Sequence, residues 1–164
     1  YWRDNRLNMI HEGTHGIQAT DLLGRKVLME DGRGLRLLAA RIGQTIEHAA
    51  EVAELTQHGK ALGLALKQVV SATQAAWATG KPTDALANAV PYMQAFGHTV
   101  LAWIWLDVAL AALRVDGTKS LAATAGQLGA MQYFYYYELP KIGAWLSVVE
   151  KRDLTCASLG EDSF

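Results

Sequence analysis

One cysteine, Cys156, stands among 164 residues, so no disulfide can close within the chain and the fold must be held by packing. Three prolines leave long stretches without an obligatory break. The net charge is −1, and no segment interleaves Lys and Arg with aromatic rings, which argues against a nucleic-acid platform. Strand-like alternation of apolar and polar residues is missing as well. No secretory leader is recognisable, and Tyr1 stands where an initiating Met would, so the chain is expected to be a fragment or a processed product. The lone thiol fits a reducing compartment, and a cytoplasmic location is expected. What the chain has in quantity is apolar side chains, 51% of residues, enough for one domain with a substantial core.

Those apolar residues recur at helical spacing. Residues 17–30 predict a first helix through Ile17, Leu22, Leu23, Val27 and Leu28, closed by Asp31-Gly32. Residues 34–57 predict a second, with Leu35, Leu38, Ile42, Ile46, Ala49 and Ala53 on one stripe. Arg36, Gln44, Glu47, Glu51 and Glu54 occupy its other face. Gly59 is expected to break it. A third helix over 60–79 ends at Gly80-Lys81-Pro82, and Thr83 or Asp84 can cap a fourth that runs to about Val115. The fifth covers about 119–151 with a kink at Pro140, and residues 153–164 form a tail. Long helices joined by short breaks give an all-α, up-down antiparallel bundle of four to five helices.

Three features invite sharper readings. Residues 85–115 are nearly apolar and approach the length of a membrane span, but His98 and Asp107 interrupt them. A soluble bundle can pair Asp107 with a neighbouring helix, so a buried bundle helix is expected and no transmembrane segment. The run Tyr133 to Tyr137 cannot face one side of a helix, so some rings belong to the core and others to a rim, a subunit interface or solvent. His48, His58 and His98 lack ligand spacing and are expected to be solvated or hydrogen-bonded.

The one plausible catalytic carboxylate is Glu12, inside Met9-Ile10-His11-Glu12-Gly13-Thr14-His15-Gly16-Ile17-Gln18. Read from His11, the letters are H-E-x-x-H, the zinc-hydrolase pattern, with Glu30 or Glu47 as candidate third ligands. That reading needs residues 11–15 to be helical, yet Gly13 and Gly16 each cost about 1 kcal/mol against Ala there. The longer metzincin form fails outright, since Gln18 and Asp21 stand where it requires Gly and His. Read from Glu12, the segment is a carboxylate followed by small residues that let the backbone approach a ligand closely.

The flanks favour the second reading. Arg3-Asp4-Asn5-Arg6, then Ile10-His11-Glu12-Gly13-Thr14, Ile17-Gln18 and Asp21-Leu22-Leu23-Gly24-Arg25-Lys26 resemble the acyl-CoA dehydrogenase flavoproteins, which carry R-D-x-R and I-Y-E-G-T-x-x-I-Q at this spacing. His11 departs from the usual Tyr. The resemblance implies that Glu12 is the base that takes the α-proton of an acyl-CoA thioester, with Gly13 against the substrate. It implies that Thr14, His15, Gly16 and Gln18 contact FAD, whose flavin takes the β-hydrogen as hydride and passes electrons to an acceptor. Residues 1–30 would then end the catalytic domain, and 31–152 would be a C-terminal helical extension. The later residues resemble, less specifically, the extension of a larger-subunit branch of that family, through Tyr133 to Tyr137, Glu138-Leu139-Pro140 and Ala144-Trp145-Leu146. The isolated chain is expected to be inactive and not to retain FAD. A homo-oligomer is expected, because apolar positions left facing water are costly. The alternative is a structural or oligomerisation module in which Glu12 is inert.

Overall fold

The computed structural model describes residues 14–114, 121–160 and 162. Among them there is no strand. The order is α1 (His15–Asp21), a π-helical turn (Leu22–Lys26), α2 (Met29–Ala50), α3 (Thr56–Ala76), a short α4 (Pro82–Leu86), α5 (Ala89–Arg114) and α6 (Leu121–Tyr133). A second π turn (Phe134–Glu138), a 3-10 turn (Leu139–Lys141) and α7 (Ile142–Lys151) follow.

Cross-helix contacts fix the directions of the long helices. Ala49 and Ile46 near the end of α2 lie against Gly59 and Gly63 near the start of α3, which makes the pair antiparallel. Thr73 near the end of α3 meets Tyr92 near the start of α5. The chain then returns along α5, with Tyr135 on Ala102, Trp145 on His98 and Asp153 on Asn88. This is the up-down bundle expected from the sequence. Its core holds Ile42, Leu55, Leu62, Val69, Tyr92, Leu106, Met131, Leu146 and Val149. Full burial of each large aliphatic side chain contributes about 1.5–3 kcal/mol.

α5 packs against α1, α2, α3, α6 and α7, which is why it is apolar nearly all round. By length and composition it is the one helix among the described residues that could cross a membrane. Its acid is used inside the bundle instead. Trp103 Nε1 donates to Thr45 Oγ1 at 2.8 Å, and that hydroxyl donates to Asp107 Oδ1 at 2.9 Å, so the expected cross-helix partner of Asp107 is Thr45 of α2. Tyr92 is satisfied in a similar way. Thr73 donates its one hydroxyl proton to the Val69 carbonyl at 2.8 Å, so the Tyr92 hydroxyl, 2.7 Å away, donates to Thr73.

Several boundaries differ from the sequence expectation. Gly59 does not break a helix. The break falls at residues 51–55, and Gly59 is buried inside α3, where an added Cβ would meet Ala49 Cβ at 3.4 Å. Lys81, with no side-chain cap bond, occupies the cap position expected for Thr83 or Asp84. Asp84 instead accepts from Thr79 at 3.1 Å and from Thr83 at 3.3 Å. The bend near Pro140 starts earlier, at the Phe134–Glu138 π turn. Asp31-Gly32 does turn the chain, through left-handed backbone at Glu30 (φ 50°), Asp31 (φ 55°) and Gly32 (φ 80°). Such angles are costly for residues with a Cβ, and the Arg36 guanidinium bonds the Asp31 and Glu30 carbonyls across the turn. The residues after α7 lie along the bundle: Asn88 Nδ2 donates to the Asp153 carbonyl at 2.7 Å, and Arg152 Nη1 donates to the Ala75 carbonyl at 2.9 Å.

Candidate functional site

Glu12 and Gly13, like His11, lie outside the described residues. The other four site residues expected from sequence, Thr14, His15, Gly16 and Gln18, sit together on the first turn of α1. Thr14 is its N-cap, with extended backbone (φ −71°, ψ 159°) and an Oγ1 that accepts from the Ile17 amide at 3.4 Å. The helix therefore begins at His15. The helical turn through residue 14 that the H-E-x-x-H frame requires is not formed. Of the candidate third ligands, Glu30 is tied to Arg33 at 2.7 Å and Glu47 is exposed on α2.

The first turn carries no acidic residue, and Thr14, His15 and Gln18 are exposed. Among the described residues, a Cβ added at Gly16 would meet only Thr14 Oγ1, at 3.9 Å. A helix start of this kind presents amide N–H groups that attract negative charge. Ile17, 61% exposed, adds an apolar position on the same turn.

This turn is held against the bundle from below. Ala19, Leu23 and Val27 are buried, the Leu23 carbonyl accepts from Trp77 Nε1 at 3.2 Å, and Gly24 sits close enough that an added Cβ would meet Leu86 at 3.3 Å. Arg25, 2.6 Å from Asp21 Oδ1, holds the Asp21 carboxyl below its ordinary value on the solvent side. Beyond the π turn an open cavity of about 320 Å³ is lined by Lys26, Met29, Glu30, Arg33, Gly34 and Leu37. Thr14 to Gln18 are not among its walls.

A second cluster surrounds the Phe134–Glu138 turn. Tyr135 is buried and donates to the Ala102 carbonyl at 3.0 Å, Phe134 is half-buried, and Tyr133, Tyr136 and Tyr137 are exposed, which is the mixed arrangement expected of that run. Burial pushes the Tyr92 phenol up to about 12 and the Tyr135 phenol higher still. Lys141 Nζ, 2.7 Å from Glu138 Oε2, holds that carboxyl below the usual range. His48 is exposed and His98 is bonded to the Gln94 carbonyl, both as expected. His58 departs from that expectation in not being solvated. It is buried, and neither ring nitrogen has a partner among the described residues.

Residues 38–160 match the family model described as "Acetyl-CoA dehydrogenase C-terminal like". A 3-methylmercaptopropionyl-CoA dehydrogenase of Ruegeria pomeroyi is 37% identical over 140 residues, 79% of this chain and 22% of that protein. A broad-specificity linear acyl-CoA dehydrogenase of Mycobacterium tuberculosis is 24% identical over 176 aligned residues, covering 100% of this chain and 29% of that protein. The chain thus spans less than a third of the length of these relatives.

Proposed function

Since the chain belongs to the acyl-CoA dehydrogenase family and matches its C-terminal module over residues 38–160, we propose that it is the C-terminal part of an FAD-dependent enzyme that oxidises an acyl-CoA thioester to the trans-2-enoyl-CoA. In this reading the Glu12 carboxylate takes the α-proton, held near the α-carbon and partly desolvated so that its pKa rises toward the operating range. Gly13 leaves room for the thioester, where a side chain would collide. Thr14, His15, Gly16 and Gln18 hold the phosphate or ribose end of the dinucleotide. FAD, when bound, supplies the acceptor for the β-hydride. The observation that carries the reading is the exposed, acid-free helix start immediately after Glu12-Gly13 in a chain of this family.

The test uses the complete protein, assayed for acyl-CoA oxidation with an artificial electron acceptor. Glu12→Gln should retain flavin and lose activity by about 10²–10⁴-fold, the range for removing a general base. Unchanged turnover in that variant would defeat the assignment. Two observations favour a second reading, of a structural or oligomerisation module. The family match begins at residue 38, well past the glutamate segment, and α5 leaves Leu101 and Ile104 exposed. The activity of the complete protein and of its Glu12→Gln variant separates the two; in either reading we expect the isolated chain to fold and self-associate without retaining FAD, and flavin absorbance in the purified chain would contradict that.

A further inference from the structure

The Phe134–Glu138 turn is gripped by two histidines from different helices. His58, on the first turn of α3, is 8% exposed, and its ring meets Tyr135 and Tyr136 edge-on with centroids 5.1 and 6.1 Å apart. His98 of α5 grips the other end. Its Nδ1 donates to the Gln94 carbonyl at 3.0 Å, its Nε2 lies 3.6 Å from Glu138 Oε2, and its ring packs on Phe134 and Trp145 at 5.7 and 4.7 Å.

A proton is costly at His58. At His58 an imidazolium would carry two donors and no acceptor into a nearly closed site, a far larger cost than the unpaired nitrogens of the neutral ring. Contact of the cation with tyrosine faces returns only about 0.5–2 kcal/mol. The titratable side chains facing His58 are Tyr135 and Tyr136 of the π turn. The Glu54 carbonyl faces it from the residues before α3, outside hydrogen-bonding geometry, and no charged side chain of α2, α5 or α7 acts on it among the described residues. Burial accordingly holds the ring below the ordinary histidine value, opposed weakly by Glu54. At His98, Nδ1 donates to Gln94 and Nε2 faces Glu138, whose Oε2 is also held by Lys141 Nζ at 2.7 Å.

We propose that Phe134–Glu138 is a proton-responsive hinge, latched on its Tyr135–Tyr136 side by neutral His58 and tethered at Glu138 by His98, so that acidification frees the tyrosine side. A π turn suits the role, since such turns interrupt the regular ladder and concentrate at functional sites. Tyr136 and Tyr137 are 69% and 64% exposed, so the side that moves is an aromatic surface. The bond that yields is the one from the Tyr135 hydroxyl to the Ala102 carbonyl.

The test is amide hydrogen exchange across residues 134–141 of the full chain between about pH 7.5 and about pH 5.5, corrected for the intrinsic rate, with the histidine ring resonances followed in parallel. Protection of 134–137 should fall by up to about tenfold per pH unit below the ordinary histidine value, until the folded value is passed. His58→Leu should abolish that fall. His98→Gln should keep it, because the fall originates at His58. Parallel loss of protection in the unmutated chain and His58→Leu would overturn the proposal. Should His58→Leu fail to fold, the His58 resonances of the unmutated chain decide, and a midpoint at or above the ordinary value overturns it.

Discussion

At single positions, the costs are set by what each group would lose. Gly59 lies where α3 packs on α2, with Ala49 Cβ 3.4 Å and the Ile46 carbonyl 3.6 Å from an added Cβ. Gly59→Leu should therefore destabilise the fold by about 1–3 kcal/mol through overpacking, measured as a shift in urea midpoint at constant m-value. Thr45→Val removes the hydroxyl between Trp103 and Asp107 while keeping the shape, and leaves an N–H and a carboxylate oxygen short of a partner. The expected loss is about 1–3 kcal/mol in the same assay, and Asp107→Asn should cost less because it can still accept from Thr45. These positions differ in how far the sequence exposes them. That Asp107 needed a partner could be read from an acid amid apolar neighbours, but the partner's identity could not, because it lies 62 residues away. Gly59 was legible only as a helix breaker, since a glycine kept for close packing has the same letter. His58 gave no signal at all: a lone histidine at a helical position looks the same whether its nitrogens meet water or tyrosine rings.

Elements were legible where their ends are marked locally. Asp31-Gly32 and Gly80 turn the chain where the sequence places them, with Gly32 and Gly80 at φ 80° and 67°. The π turns were hidden, because a widened hydrogen-bond register has no residue type that marks it. The pairing of α3 with α5 and of α5 with the Tyr135 turn carries a pH signature. Tyr92 and Tyr135 titrate above the ordinary phenol value because burial disfavours the phenolate. A raised value means that their contribution is fully present below the ordinary value near 10 and is lost as pH rises toward the folded one. Stability should thus decline between pH 10 and about 12, the Tyr92 value. Tyr92→Phe should start lower, without its bond to Thr73, and decline less steeply, as followed by far-UV circular dichroism in urea. An equal slope in both proteins would remove Tyr92 from the account.

Across the whole molecule, the segment with the expected cofactor-contacting residues is part of the bundle's packing. Leu23 is fully buried, and its carbonyl holds Trp77 of the residues after α3. Leu23→Ala should cost about 2–5 kcal/mol in denaturant unfolding, in a single transition shared by fluorescence and circular dichroism. Two separate transitions would show that residues 14–28 fold apart from the rest. The all-helical architecture was legible from composition and spacing, whereas this integration was not, since Leu23 and Trp77 stand 54 positions apart. The wide turns have a consequence for chain length. Each of Leu22–Lys26 and Phe134–Glu138 accommodates a residue more than regular helix needs. Deleting one residue there returns the helix to its normal winding with both flanks in phase, whereas a deletion within α5 rotates everything after it by about 100° and swings Leu106 and Ala109 out of the core. Among the described helices, the two π turns are thus places where a residue can be lost without rotating the flanking faces.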